Sequence, residues 1–143
     1  MHQTTLLKDA QADRRWFHAS AKNRVLGPLA VSVAKALMGR TKRNWTPHTD
    51  NGDFVVVTDV EGLVFTGNKA ERKLMTFHTG YFGGLVEIPL GRYHAQKPER
   101  LFELAVRRML PKTIQAKHML LRLKVYKGPA HPHVAQQPVT LPE

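Results

Sequence analysis

The chain has 143 residues, of which 42% are hydrophobic and 23% charged; this suffices for one domain with an apolar core and excludes a wholly disordered basic tail. It carries 22 lysines and arginines against 11 acidic residues, a formal net charge of +11. The absence of cysteine excludes disulfides and thiolate metal sites. No apolar run approaches the roughly 20 residues of a membrane-spanning helix, and the N-terminal residues do not resemble a secretory signal. A cytosolic or organelle-matrix protein is therefore expected.

The N-terminal part of the chain predicts a short strand followed by a helix. Trp16–Ser20 is typical of a strand. Apolar residues then recur every four positions from Leu29 to Leu37 and form one stripe of a helix. Pro28 suits the first helical position and Gly39 suits a left-handed stop at the C-terminus.

Two further strands are predicted in the middle of the chain. Phe54–Val57 is a continuous apolar run, which is typical of a strand covered on both faces in a parallel sheet. Leu63–Thr66 predicts a second strand that ends at Gly67. Residues 69–84 change from a basic, helix-like sequence to a glycine-rich stretch.

The C-terminal part predicts two helices and a closing strand. A helix begins at Lys97–Glu99, with proline and glutamate in its first turn, and ends before Pro111. A shorter basic helix over Lys112–Leu123 and a strand over Lys124–Tyr126 follow. The tail from Gly128 is rich in proline and therefore extended. In the helix that begins at Lys97–Glu99, the apolar face is expected to consist of Leu101, Leu104, Ala105 and Met109.

This order of strands and helices favours a single three-layer α/β domain with extended basic loops. The domain is predicted to span residues 16–127. An N-terminal extension over residues 1–15 precedes it, and an extended Pro-rich tail over residues 128–143 belongs to the same binding surface.

The positive charge is concentrated towards the C-terminus, where no acidic residue falls between Glu103 and Glu143. Charge of one sign raises the self-repulsion of the folded state, so it is expected where a polyanion supplies the opposite sign. Nucleic acid is the commonest such partner. A merely solvated face usually mixes both signs, which favours contact with RNA over that alternative.

Basic side chains and one aromatic loop are the candidates for contact with RNA. The basic corner after the first helix suits phosphate contact, although cations there also interact favourably with the helix dipole. In His78–Gly84 the glycines permit close approach of a ligand, and Tyr81 or Phe82 could stack on a base; a mobile surface loop explains this stretch equally well. It is neither a dinucleotide fingerprint nor a P-loop. The residues expected to contact RNA are Arg40, Lys42, Arg43, Lys69, Arg72, Lys73, His78, Tyr81, Lys112, Lys117, Arg122, Lys124, Lys127, His131 and His133.

The histidines and carboxylates do not form a recognisable metal or catalytic site. His131 and His133 lack the second pair of ligands that zinc requires. Asp50 and Asp53 lie near His48, but an Asp- and Asn-rich turn explains them equally well. No hydrolase or metalloprotease motif is present. We therefore expect no enzymatic activity, no cofactor and no metal.

Several stretches of the chain resemble the ribosomal protein L13 family of the large subunit, in its bacterial type. They run in order over nearly the whole chain after Trp16, and the last of them and HTGYFGGL are highly specific. The stretches are VLG at Val25–Gly27, WTPHTDNGDFVVV at Trp45–Val57, TGNK at Thr66–Lys69, HTGYFGGL at His78–Leu85, KPER at Lys97–Arg100, MLPK at Met109–Lys112 and RLKVYKGPAHPHVAQQP at Arg122–Pro138.

The resemblance implies a mostly parallel four-stranded sheet packed between helices and embedded in 23S-type ribosomal RNA. It implies a structural, non-enzymatic protein that binds and holds rRNA segments early in large-subunit assembly. The implied partners are large-subunit rRNA and neighbouring large-subunit proteins, with no membrane, no small-molecule substrate and no homo-oligomer. The implied location is the cytoplasmic ribosome, and the sequence leaves an organellar ribosome open.

The chain departs from the usual pattern of the family at Pro28, at Asp59–Val60 and over Thr113–His118.

The alternative function is a small nucleotide- or phosphate-ester-binding enzyme on the same fold. Such an enzyme needs a phosphate loop after the first strand, where Ser20–Arg24 has no glycine triplet.

Overall fold

The computed structural model describes residues 12–142. No helix within this range is long and apolar enough to cross a membrane. The regular elements are β1 (Trp16–Ser20), α1 (Leu26–Met38), β2 (Phe54–Thr58), α2 (Lys69–Arg72), β3 (Leu74–His78), β4 (Leu85–Pro89), α3 (Leu90–Gln96), α4 (Pro98–Met109), α5 (Ile114–Leu121), β5 (Leu123–Val125) and β6 (Val139–Thr140). A short 3₁₀ turn, Val60–Gly62, lies between β2 and α2.

The larger sheet has the strand order β5-β2-β1-β6, and all its pairings are parallel. Trp16 of β1 lies opposite Phe54 of β2, and Phe17 lies opposite Val139 of β6. Parallel neighbours need a long crossover, which α1 provides between β1 and β2. The predicted α/β fold class with a mostly parallel four-stranded sheet is confirmed.

The apolar run of β2 forms the centre of this sheet. Val55, Val56 and Val57 are fully buried. Side chains alternate along a strand, so Val55 and Val57 join the helices in the main apolar cluster while Val56 faces the other way. The prediction of a strand covered on both faces is confirmed.

Helix α1 also follows its prediction. The stripe from Leu29 to Leu37 is buried, and Gly39 ends the helix at φ 67° with its N–H donating to the carbonyl of Ala36. The helix begins two residues earlier than expected, so Pro28 is its third residue. Proline is still tolerated there, because the first N–H groups of a helix have no intrahelical partner.

Helix α4 begins at Pro98 as predicted, but its buried face is rotated. Met109 is 45% exposed, whereas Phe102 and Val106 are fully buried in the main cluster. Leu101 packs instead into a second cluster with the β3–β4 hairpin. The helix therefore packs against two apolar clusters, which its sequence alone does not reveal.

The middle of the chain differs most from the prediction. Leu63–Thr66 is not a strand: only Val64 pairs, as a single parallel bridge with Val25, before the chain turns into α2. The glycine-rich stretch is the turn of an antiparallel hairpin between β3 and β4, and α3 follows it. The sequence pattern did not reveal β3 and β4, because the basic residues directly before β3 favoured a helix.

The C-terminal tail forms part of the sheet and covers one of its faces. The predicted helix and strand of this region are present as the shorter α5 and as β5, but β5 lies at one edge and the tail supplies β6 at the other. Residues 128–138, here called the C-terminal strap, connect the two edges. Rings of the strap contact Trp16 and His18 on the face opposite the main apolar cluster.

Candidate nucleic-acid interface

The basic corner after α1 exposes two of its three candidate cations. Arg40 and Arg43 are exposed, and the guanidinium of Arg40 lies 5.5 Å from the ring centroid of Trp45. Such a cation–π contact holds the arginine in place while leaving its charge available. This corner can therefore present two positive charges to a phosphate chain.

Lys42 in the same corner is used internally. Its Nζ lies 2.7 Å from Oδ1 of Asp53, whose side chain is almost completely buried. It also donates to the side chain of Asn51 and to the carbonyl of Asp13. Lys42 therefore stabilises the loop between α1 and β2.

Lys69 and Arg72 of α2, and Lys73 directly after it, are exposed to solvent. The Nζ of Lys69 donates to the hydroxyl of Thr66 at 3.0 Å, which positions it without neutralising it. Lys69 and Lys73 line one groove together with Arg108 of α4.

The β3–β4 hairpin carries its aromatic side chains at an exposed tip. Tyr81 is 80% exposed and Phe82 is completely exposed. The turn is held by the N–H of Gly80, which donates to Nδ1 of His78, and by the N–H of Gly84, which donates to the carbonyl of Tyr81. A hydrogen-bonded turn with two exposed rings is suited to stacking on nucleotide bases.

The acid-free C-terminal region places its candidates on two elements. Lys112 and Lys117 are exposed, the first before α5 and the second within it. Gln115 of the same helix donates to the carbonyl of His48 at 2.6 Å, so α5 lies beside the loop that follows the basic corner. Lys127 is exposed after β5, whereas Lys124 is half-buried.

Arg122 is the candidate that the structure removes from the surface. It is buried, and its two terminal nitrogens lie 2.6 and 2.5 Å from the carboxylate oxygens of Asp50. Burial by itself would raise the pKa of Asp50, but the hydrogen bonds and charge of Arg122, helped by Gly52 and Arg14, hold that pKa below its usual value. Arg122 is thus an interior residue with its charge already balanced, so we do not assign it to a nucleic-acid contact.

His131 and His133 lie half-buried in the C-terminal strap. Nε2 of His133 is 2.9 Å from the hydroxyl of Tyr126, and its ring centroid lies 5.2 Å from that of Trp16. The ring of His131 lies 5.6 Å from that of His18. These histidines attach the strap to the sheet, and their rings are only partly accessible to RNA.

The carboxylates near His48 have structural partners as well. Asp50 binds Arg122, while Asp53 binds Lys42 and accepts the N–H of Arg15 at 2.9 Å. Within residues 12–142 no cluster of histidine and acidic side chains is arranged to hold a metal ion.

The candidate residues therefore form at least two separate groups. One group lies on the basic corner and around α5. The other lies on α2 and at the residue after it, beside Arg108 of α4. In the described part of the chain none of the exposed candidates takes part in an ion pair. Arg107 and Arg108 are exposed cations that the sequence-based set of candidates omits. Their position inside the acid-free stretch is the signal that could have found them.

Comparisons with known proteins agree on one family. The family model described as "Ribosomal protein L13" matches residues 14–132. A "Large ribosomal subunit protein uL13" from Thermotoga petrophila is 46% identical over an alignment that covers 96% of this chain and 93% of the relative. Proteins of the same name from Geobacter sulfurreducens, 47% identical with 99% of each chain covered, and Chloroflexus aggregans, 46% identical with 92% of each covered, are also similar.

Proposed function

Since this chain belongs to the ribosomal protein L13 family, we propose that it is a structural constituent of the large ribosomal subunit and binds large-subunit rRNA early in assembly. Its location is then the ribosome in the cytoplasm, and its partners are rRNA and neighbouring large-subunit proteins. The family is structural and non-enzymatic, which removes the alternative of a phosphate-ester-binding enzyme.

The observation that carries this proposal is the state of the exposed cations. Among the candidate cations, Lys42 and Arg122 form ion pairs, whereas the others have no acidic partner within residues 12–142. Uncompensated positive charge is the electrostatic footprint of a protein that neutralises phosphates.

The shape of the chain supports recognition of RNA by form rather than by sequence. The major groove of an A-form helix is too deep and narrow for side chains, so contacts go to phosphates, 2′-hydroxyls and unstacked bases. Rigid elements hold the cations at separate places, which suits a protein that brings several RNA segments together. The proposed contacts are made by Arg40, Arg43, Lys69, Arg72, Lys73, His78, Tyr81, Lys112, Lys117, Lys124 and Lys127, with His131 and His133 at the margin.

The apolar core supports an early role. The helices and the sheet of the chain pack around a shared cluster of buried residues, as is expected of a protein that folds and presents its basic loops before other subunit proteins bind. Binding early would let these loops neutralise RNA segments that otherwise repel one another.

The test is sedimentation of a tagged copy, with sequencing of the RNA that accompanies it. We expect recovery in the large-subunit peak with large-subunit rRNA. Lys112→Glu combined with Lys117→Glu should reduce recovery several-fold in competition with the untagged protein, because both side chains are exposed and form no ion pair within the described residues.

The matched control combines Lys22→Glu with Arg92→Glu, which reverses two exposed cations outside the proposed contacts. It should enter the particle nearly as well as the unchanged chain. Equal losses for both variants would contradict the proposed contacts, and a tagged chain that sediments free of the subunit would contradict the function itself.

A further inference from the structure

A small apolar groove lies between the two apolar clusters of the chain. Its walls come from the start of α1, the segment after the 3₁₀ turn, and the side of α4. The cavity measures about 190 Å³. Val64 and Met109, at its mouth, are 42% and 45% exposed, so apolar surface remains accessible to a partner.

The rim of this groove is positively charged. Lys69, Lys73 and Arg108 line it, and its lining contains no carboxylate. Lys69 and Lys73 are also among the proposed rRNA contacts, whereas Arg108 is not. Arg108 takes part in no ion pair within the described residues, so it is the rim cation available to a carboxylate of a protein partner. An apolar floor with an uncompensated cationic rim is complementary to an apolar side chain flanked by acids.

A nucleotide base fits this lining less well. Bases are held by stacking on aromatic rings and by hydrogen bonds to their edges. Phe65 is the aromatic residue of the lining, and its ring already packs edge-on against His94 at 5.1 Å. The lining therefore offers no free aromatic ring on which a base could stack.

A small-molecule ligand is also disfavoured, because pockets for such ligands measure roughly 300 to 1,000 Å³. A smaller apolar cavity suits one anchoring side chain of a protein partner. We propose that the groove binds an aliphatic or aromatic side chain of a neighbouring protein, in a segment that carries carboxylates beside that anchor. This inference goes beyond rRNA binding. It rests on the proposed function in one respect, because the neighbouring protein is expected to belong to the large ribosomal subunit.

The test places a photoreactive benzoylphenylalanine at Val64. Whole cells are irradiated before fractionation, so the groove is probed wherever the chain is found, and the cross-linked peptide is identified by mass spectrometry. We expect one protein segment with an apolar residue at the linkage and Asp or Glu within a helical turn of it. The same probe at Ile114, an exposed residue of α5, should not reach that segment.

Two variants test the floor and the rim separately. Gly27→Leu fills the groove, since an added Cβ there meets no atom within 4 Å, and should lower the adduct at least about tenfold, as expected when a buried anchor is displaced. Arg108→Glu should lower it several-fold through repulsion of the carboxylates. Gly128→Leu, at another glycine with open space, should leave it unchanged.

An adduct with rRNA, a linked peptide without nearby acids, or the absence of a protein adduct would overturn the inference. So would an adduct that neither groove variant lowers. Sedimentation of the same chain in the large-subunit peak is scored independently, so the proposed function can fail or stand without deciding the groove.

Discussion

Arg122 lies under the loop that joins α1 to β2. There the two terminal nitrogens of its guanidinium donate hydrogen bonds to the two carboxylate oxygens of Asp50. Paired hydrogen bonds of this kind are among the strongest that side chains make. Nη2 also reaches the carbonyl of Leu37 at 3.4 Å. The loop passes so closely that a side chain at Gly52 would collide with that carbonyl and with Arg122.

Replacing Arg122 should therefore destabilise the fold. Arg122→Met leaves the partly buried carboxylate of Asp50 without its main partner, and losing a partner in this way costs about 1 to 3 kcal/mol. Urea denaturation measures the free energy of unfolding.

Lys117→Met is the matched control, because Lys117 is an exposed cation of the preceding helix. Surface substitutions usually change stability by less than about 0.5 kcal/mol. Similar small losses for both variants would show that Arg122 is not a structural residue.

At the scale of elements, the C-terminal strap is held to the sheet by contacts between rings. Burial lowers the pKa of His18, and the nearby His131 adds to this effect while Asp59 opposes it. Burial also lowers the pKa of His133, with contributions from Lys124 and His131. Tyr126 and Thr58 supply hydrogen bonds to these rings. Protonation would place like charges close together in this layer.

Acidification should accordingly loosen the strap. The folded-state pKa values of His18 and His133 lie below the unfolded value of 6.5, so the unfolded chain binds protons first as the pH falls. The stability these groups contribute is complete above that value and is lost as the pH falls towards the lowered folded values.

Unfolding free energies at about pH 7.5 and about pH 5.5 measure this loss. His18→Gln combined with His133→Gln should reduce the pH dependence, whereas His48→Gln, at an exposed histidine, should not. An unchanged pH dependence in the double variant would refute the role of these rings.

For the whole molecule, the number of cations that contact phosphates decides how binding to RNA responds to salt, and the net charge of +11 makes many cations available for such contacts. Cations that neutralise phosphates release counterions, so the affinity falls as salt rises. The fold determines where these cations lie, because helices and a hairpin turn carry them.

Affinity for large-subunit rRNA measured over a series of KCl concentrations should fall steeply. Lys112→Ala with Lys117→Ala should lower the slope of the log–log plot by roughly 0.7 to 0.9 for each phosphate that is no longer neutralised. Lys22→Ala with Arg92→Ala should leave the slope nearly unchanged. A complex insensitive to salt would exclude phosphate contact as its basis.

Local patterns were sufficient to predict the core of this fold. The stripe of α1, its stop at Gly39 and the buried run of β2 each depend on residues within a few positions of one another. The start of α4 at Pro98 is equally local. Helix periodicity, capping and burial of a continuous apolar run all act at this range, which is why the sequence was informative there.

Only the tertiary structure decided which charged side chains face solvent. It also decided that the C-terminal tail adds a strand to the sheet. Arg122 and Lys124 are neighbours in a basic stretch, yet Arg122 is buried because Asp50, far away in sequence, lies against it. Strand β6 likewise forms because the strap brings Val139 beside Phe17. Such pairings depend on how distant segments meet, so a cation in the sequence counts towards RNA binding only after the fold has placed it.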